Sequence, residues 1–150
     1  MKHVRKSVLL WYSPREMYDL VTGLDAYPQF LPWCSRAEVV TAHDDGVTAR
    51  LSMSYMGVRH AFTTRNTHAV DKSVAVQLVD GPFSKLHGNW LFLPLGRPGS
   101  DDAACKIEFD LSYAFSNAAL QAVVSPVFDR VANTLVDSFV RRAEAVYGPR

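Results

Sequence analysis

Hydrophobic positions in the last quarter of the chain recur every three or four residues, whereas those between Ala37 and Phe115 mostly alternate with polar ones. Val124, Phe128, Val131, Leu135, Phe139, Ala143 and Val146 mark the buried stripe of one long amphipathic helix, predicted over residues 126–147. Val127, Val136, Val140 and Tyr147 widen that stripe beyond a narrow seam. At 1.5 Å per residue the helix is about 33 Å long, enough to cross a small domain. A face this broad needs a broad apolar surface beneath it, and the alternating segments supply one.

The first of these, residues 4–12, places Val4, Val8, Leu10 and Tyr12 on one side, with Lys6 interrupting. Ser13-Pro14-Arg15-Glu16 is a helix start, with Ser as N-cap, Pro in the first turn and Glu closing a capping box. Met17, Leu20, Val21 and Leu24 form the short helical face that follows. Prolines and aromatics interleave over residues 27–34, which predicts a compact turn packed by its own rings. Strands are predicted at 37–42, 47–55, 58–70, 74–80, 86–95 and 105–115, separated by His43-Asp44-Asp45-Gly46, Met56-Gly57, Asp71-Lys72-Ser73 and Gly81-Pro82-Phe83. Breakers and charge predict an exposed loop at 97–102. Cys105, Ile107, Phe109, Leu111, Tyr113 and Phe115 alternate without a miss, the cleanest half-buried strand in the chain. Asn117 caps a short helix reaching Val124, and Ser125-Pro126 restarts the long one as Ser13-Pro14 starts the first. Consecutive hairpins followed by a helix predict one α+β domain over residues 1–150, an antiparallel sheet with the helix packed across it.

Composition narrows the function classes. A hydrophobic content of 48% with 21% charged residues is that of an ordinary globule, and 16 Lys plus Arg against 15 Asp plus Glu gives a net charge of +1. No global basic field argues for nucleic acid. No run is long enough to span a membrane, and the basic N-terminus lacks a signal-peptide core. Two cysteines far apart suggest a reduced, cytoplasmic setting without a disulfide framework.

No phosphate-cradling glycine loop or nucleophile elbow occurs. His60 and His68 share strand parity but lie about 26 Å apart along an extended strand, too far for one metal. Neither a catalytic residue nor a metal site is expected. Cys105 reads as a small core residue; Cys34 is either buried beside Trp33 or a reactive thiol. Asp80-Gly81-Pro82-Phe83 is either a turn or a gate at a cavity mouth carried by Phe83. Tyr27, Phe30 and Trp33 are core plugs or ligand walls. Arg59, Arg65 and Lys85 are solvated strand residues or a basic face for RNA phosphate.

Several strings resemble a known family: Tyr12-Ser13-Pro14 with Met17-Tyr18-Asp19-Leu20-Val21, and Tyr27-Pro28-Gln29-Phe30-Leu31-Pro32-Trp33-Cys34. Leu78-Val79-Asp80-Gly81-Pro82-Phe83, Gly88-Asn89-Trp90-Leu91-Phe92 and Phe139-Val140-Arg141-Arg142-Ala143 follow in the same order. The chain resembles the bacterial ribosome-association toxins, grouped with the coenzyme Q-binding START-domain proteins. The resemblance implies a helix-grip (START-like, Bet v 1-like) fold, a curved antiparallel sheet around a long C-terminal helix and an apolar cavity. It implies, first, binding of ubiquinone or a related isoprenoid in support of respiration, with no other cofactor. It implies, as an alternative, a toxin that binds the large ribosomal subunit and blocks subunit joining. A third implication is an aromatic polyketide cyclase or dehydrase. The expected place is the cytoplasm, with peripheral contact to the inner membrane.

By strand parity and family position, Phe62, Leu78, Trp90 and Phe92 are the sheet-side walls of the expected cavity. Val124, Phe128, Val131 and Leu135 are its helix-side walls. Thr64 and Asn66 share the parity of Phe62, so they either hydrogen-bond a quinone carbonyl or are simply polar strand residues.

Overall fold

The computed structural model describes residues 1–95 and 104–150. The loop expected at 97–102 lies outside the described residues. Strand β1 covers Lys2–Leu10 and helix α1 Pro14–Thr22. A 3-10 turn (Leu24–Ala26) and the one-turn α2 (Tyr27–Phe30) lead into β2 (Cys34–His43). Strands β3 (Gly46–Tyr55), β4 (Val58–Ala69), β5 (Ser73–Asp80), β6 (Phe83–Pro94) and β7 (Cys105–Phe115) form a meander, and α3 runs from Ala118 to Tyr147.

All seven strands form one antiparallel sheet in the order β1-β7-β6-β5-β4-β3-β2. Alternation sends Val4, Ala49, Phe62, Val74, Leu86, Trp90, Phe109 and Leu111 to the inner face, where they are buried. Across that face Leu111 lies opposite both Val4 and Gly88, Gly88 opposite Val76, and Val76 opposite Asn66. Helix α3 lies over this face, its Phe128 ring meeting Phe62, Phe83, Tyr113 and Phe115. Met56 and Gly57 both have positive φ, the two-residue turn that suits the right-handed twist of a hairpin.

Several boundaries differ from the sequence reading, and β2 starts at Cys34 instead of residue 37. Strand β1 starts at Lys2 and stops at Leu10, because Tyr12 turns inward and its hydroxyl donates to the Gly148 carbonyl at 2.7 Å. Strand β4 ends at Ala69, leaving Val70 exposed in the turn. Phe83 opens β6 rather than breaking it, because a bulge between Phe83 and Lys85 keeps its ring on the inner face. Finally, α3 is continuous through Pro126. Asn117 caps it, accepting from the Leu120 N–H at 2.9 Å. Pro126 removes the bond to the Ala122 carbonyl, but both residues are exposed, so water can satisfy that carbonyl. Val146, expected in the buried stripe, is 48% exposed.

A polar cluster pins the helix to the sheet. Asp129 accepts from Lys2, from the Tyr113 hydroxyl at 2.5 Å and from the Ser125 hydroxyl at 3.1 Å. Burial pushes the Asp129 carboxyl up, but the bonds from Lys2, Tyr113 and Ser125 outweigh it and hold the group below its ordinary value. Replacing Asp129 with alanine should lower stability by about 1–2 kcal/mol in urea titrations near neutral pH. A depressed folded pKa stabilises above the unfolded value and stops doing so as pH falls through the folded one. The gap between wild type and Asp129→Ala should therefore narrow when both are measured below the ordinary carboxylate range. A gap independent of pH would show that Asp129 acts through packing alone.

Candidate ligand cavity

Between α3, α2 and the inner sheet face lies an apolar cavity of about 100 Å³. Its floor is the cross-strand row Asn66–Val76–Gly88–Leu111, bounded by Thr64 and Leu86 on one side and Trp90 and Phe109 on the other. Gly88 is required there by close approach: a Cβ would sit 2.8 Å from the Asp110 carbonyl oxygen and 2.9 Å from Leu111. The roof is Phe128, Val131, Ala132, Leu135 and Phe139 of α3, with Leu24, Tyr27 and Trp33 closing the side. Phe139 meets Tyr27, Phe30 and Trp90 edge-on at 5.5, 5.2 and 5.3 Å, binding roof to wall.

Eight residues expected at the site line this cavity: Tyr27, Phe62, Thr64, Asn66, Trp90, Phe128, Val131 and Leu135. Five do not. Phe30 stands behind Tyr27 and Phe139, under the Arg142 guanidinium. Leu78 packs at the margin of the core, and Phe83 is enclosed by Phe62, Phe115 and Phe128. Phe92 lies one inward position beyond Trp90, where the Tyr18 ring of α1 covers it. Val124, one turn ahead of Phe128, is fully buried. Phe83 is thus a packed core residue, not a gate. The sequence reading missed Ala49, Leu51, Phe109 and Leu111, although strand parity alone places them on the inner face. Ala132 and Gly88 carry no hydrophobic signal; they matter by being small.

Among the described residues no charged side chain lines the cavity. One hydrogen-bonded polar pair lines it: the Thr64 hydroxyl donates to Asn66 Oδ1 at 2.8 Å. With Oδ1 so engaged, the two Nδ2 protons of Asn66 find no acceptor among the described residues. They can serve a ligand oxygen. Tyr27 offers no second polar contact, since its hydroxyl is committed to the Val21 carbonyl, and burial pushes its pKa up. Cys34 and Cys105 are buried, and that burial pushes both thiols up to about 11, leaving little thiolate at neutral pH. Among the described residues no cluster of three metal ligands occurs, and no helix is long and apolar enough to cross a membrane.

Arg59, Arg65 and Lys85 all point to the outer sheet face but do not form one cluster. Arg59 and Arg65 are six residues apart on β4, about 20 Å. Arg65 is held by Asp45 of the β2–β3 turn at 2.7 Å, and that hydrogen bond lowers the Asp45 carboxyl. Lys85 is exposed on β6, with β5 between it and β4.

Residues 10–140 match the family described as polyketide cyclase / dehydrase and lipid transport. The chain belongs to that family. It is 38% identical to the ribosome association toxin RatA of Pseudomonas aeruginosa over 146 residues, 97% of this chain and 98% of that one. Similarity to the mitochondrial coenzyme Q-binding protein homolog B of Xenopus laevis is lower, 28% over 144 residues, covering 95% of this chain and 58% of the other. Among solved structures, a START superfamily protein from Mycobacterium smegmatis superposes with a TM-score of 0.75 at 20% identity, covering 96% of this chain and 98% of that one. The fold is therefore the START-like helix grip, a sheet and long helix enclosing an apolar space.

Proposed function

We propose that this chain is a cytoplasmic ribosome-association factor that binds the large ribosomal subunit and hinders subunit joining. One observation carries the reading: its likeness to the ribosome association toxin of Pseudomonas aeruginosa runs end to end in both chains, at 38% identity. The coenzyme Q-binding relative matches at 28%, over little more than half its length. This order reverses the expectation drawn from the sequence, where the quinone reading stood first. The cavity argues the same way, since about 100 Å³ is well below the roughly 300–1,000 Å³ of ordinary small-molecule pockets. Purified large subunits should carry the chain with them through a sucrose cushion, and small subunits should not. Absence from both pellets would remove the reading.

A second reading rests on the uncharged cavity and its Asn66–Thr64 pair. These suit an apolar ligand with one acceptor oxygen, such as part of an isoprenoid quinone, held by burial at roughly 25 cal/mol per Å². Mass spectrometry of lipid extracted from the natively purified chain tests it. An extract free of any stoichiometric apolar compound would count against it.

A further inference from the structure

The outer face of the sheet differs in kind from the inner one. Every Phe, Tyr and Trp of the seven strands points inward, so the rings on the outer face are the imidazoles of His3, His43 and His87, of which His3 is hydrogen-bonded to Ser112 and His43 to Thr48. What stands there instead is hydroxyl, amide and guanidinium: Thr48, Ser52, Thr63, Gln77, Asn89 and Ser112 between the charged positions. At about 4.8 Å per strand the face is roughly 29 Å wide.

Its charges are unevenly satisfied. Arg5 is bridged to Asp110, Arg36 to Glu38, Arg65 to Asp45 and Lys106 to Glu108. Arg50, Arg59 and Lys85 are exposed and have no ion-pair partner among the described residues. Asp80, turned outward by the bulge at Val79, is the carboxylate left unpaired on these strands. Three available cations therefore face one available carboxylate, in a chain whose net charge is only +1.

We infer that this face docks on double-helical RNA, with Arg50, Arg59 and Lys85 on phosphates, and this rests on the ribosome reading above. Single-stranded RNA is held by stacking its bases on aromatic side chains. A face without Phe, Tyr or Trp, and with two of its three imidazoles tied to Ser112 and Thr48, gives single strands a poor platform. A-form duplexes are recognised by shape, phosphates and 2′-hydroxyls, the groups that Arg, Lys, Ser, Thr and Asn serve. Asp45 holds the bridged Arg65 back from this role, and the unpaired Arg50 stands in the basic face in its place.

Fluorescence anisotropy with a labelled RNA duplex of mixed sequence, and with either of its strands alone, tests the inference. The duplex should bind more tightly than the single strand. The triple change Arg50→Glu, Arg59→Glu, Lys85→Glu should weaken duplex binding at least about tenfold and reduce the salt slope by about 2–3. A control, Arg130→Glu with Arg141→Glu on the exposed side of α3, should leave binding nearly unchanged. Equal losses in both variants would reduce the effect to net charge and overturn the inference. So would preference for the single strand, or binding to anionic lipid vesicles with none to the duplex. Circular dichroism and melting temperature confirm that each variant is folded. Co-sedimentation separates the two levels: a triple variant that still pellets with large subunits overturns the face and leaves the ribosome reading standing. Duplex binding without subunit binding does the reverse.

Discussion

Replacing Phe139 with alanine lowers the stability of the chain by about 3–5 kcal/mol, the range for a buried aromatic ring. Three features place it in the upper part of that range. The ring is 1% exposed, and it meets Tyr27, Phe30 and Trp90 edge-on, so its loss uncouples α3 from both α2 and β6. It also borders the existing cavity of about 100 Å³, so the new void merges with the old instead of being filled by relaxation. Urea unfolding should show a lower midpoint with little change in slope. A loss below about 1 kcal/mol would mean that α2 is not packed against the helix as described.

Replacing Val131 with tryptophan leaves the fold standing and removes uptake of an apolar probe such as a short-chain quinone. Val131 is 5% exposed and faces the cavity from the roof, so an indole there enters the space a ligand would need. Overpacking of this kind costs about 1–3 kcal/mol. Probe affinity should fall about a hundredfold or more, roughly 2.7 kcal/mol. Large-subunit binding should not change, because α3 covers the inner face and the basic residues lie on the outer one. A variant that loses both activities with its fold intact would show that the cavity and the ribosome contact are coupled. Unchanged probe affinity would place the ligand elsewhere.

Local signals carried much of the architecture. Uninterrupted alternation from Cys105 to Phe115 gave β7, and the Ser13 and Asn117 caps marked two helix starts, because each depends on neighbours in sequence. The same parity put Thr64 and Asn66 on the cavity side. Failures occurred where tertiary context decided between equal local signals. Ser13-Pro14 and Ser125-Pro126 read alike, yet Ser13 is extended while Ser125 lies within a helix, buried against Asp129. Phe83 followed a turn-forming Gly-Pro but was returned to the core by a bulge that only the pairing with β7 reveals. Arg65 was legible as a surface cation, but its partner Asp45 is 20 residues away. The size of the cavity was not legible at all, since it depends on where small residues such as Gly88 and Ala132 meet across the fold.

Light scattering measures subunit joining directly. Purified large and small subunits, mixed with magnesium to start association, give a rise in scattering as whole ribosomes form. Adding this chain in stoichiometric excess over large subunits beforehand should suppress most of that rise, and Val131→Trp should suppress it equally. An undiminished rise in the presence of folded chain would contradict the account.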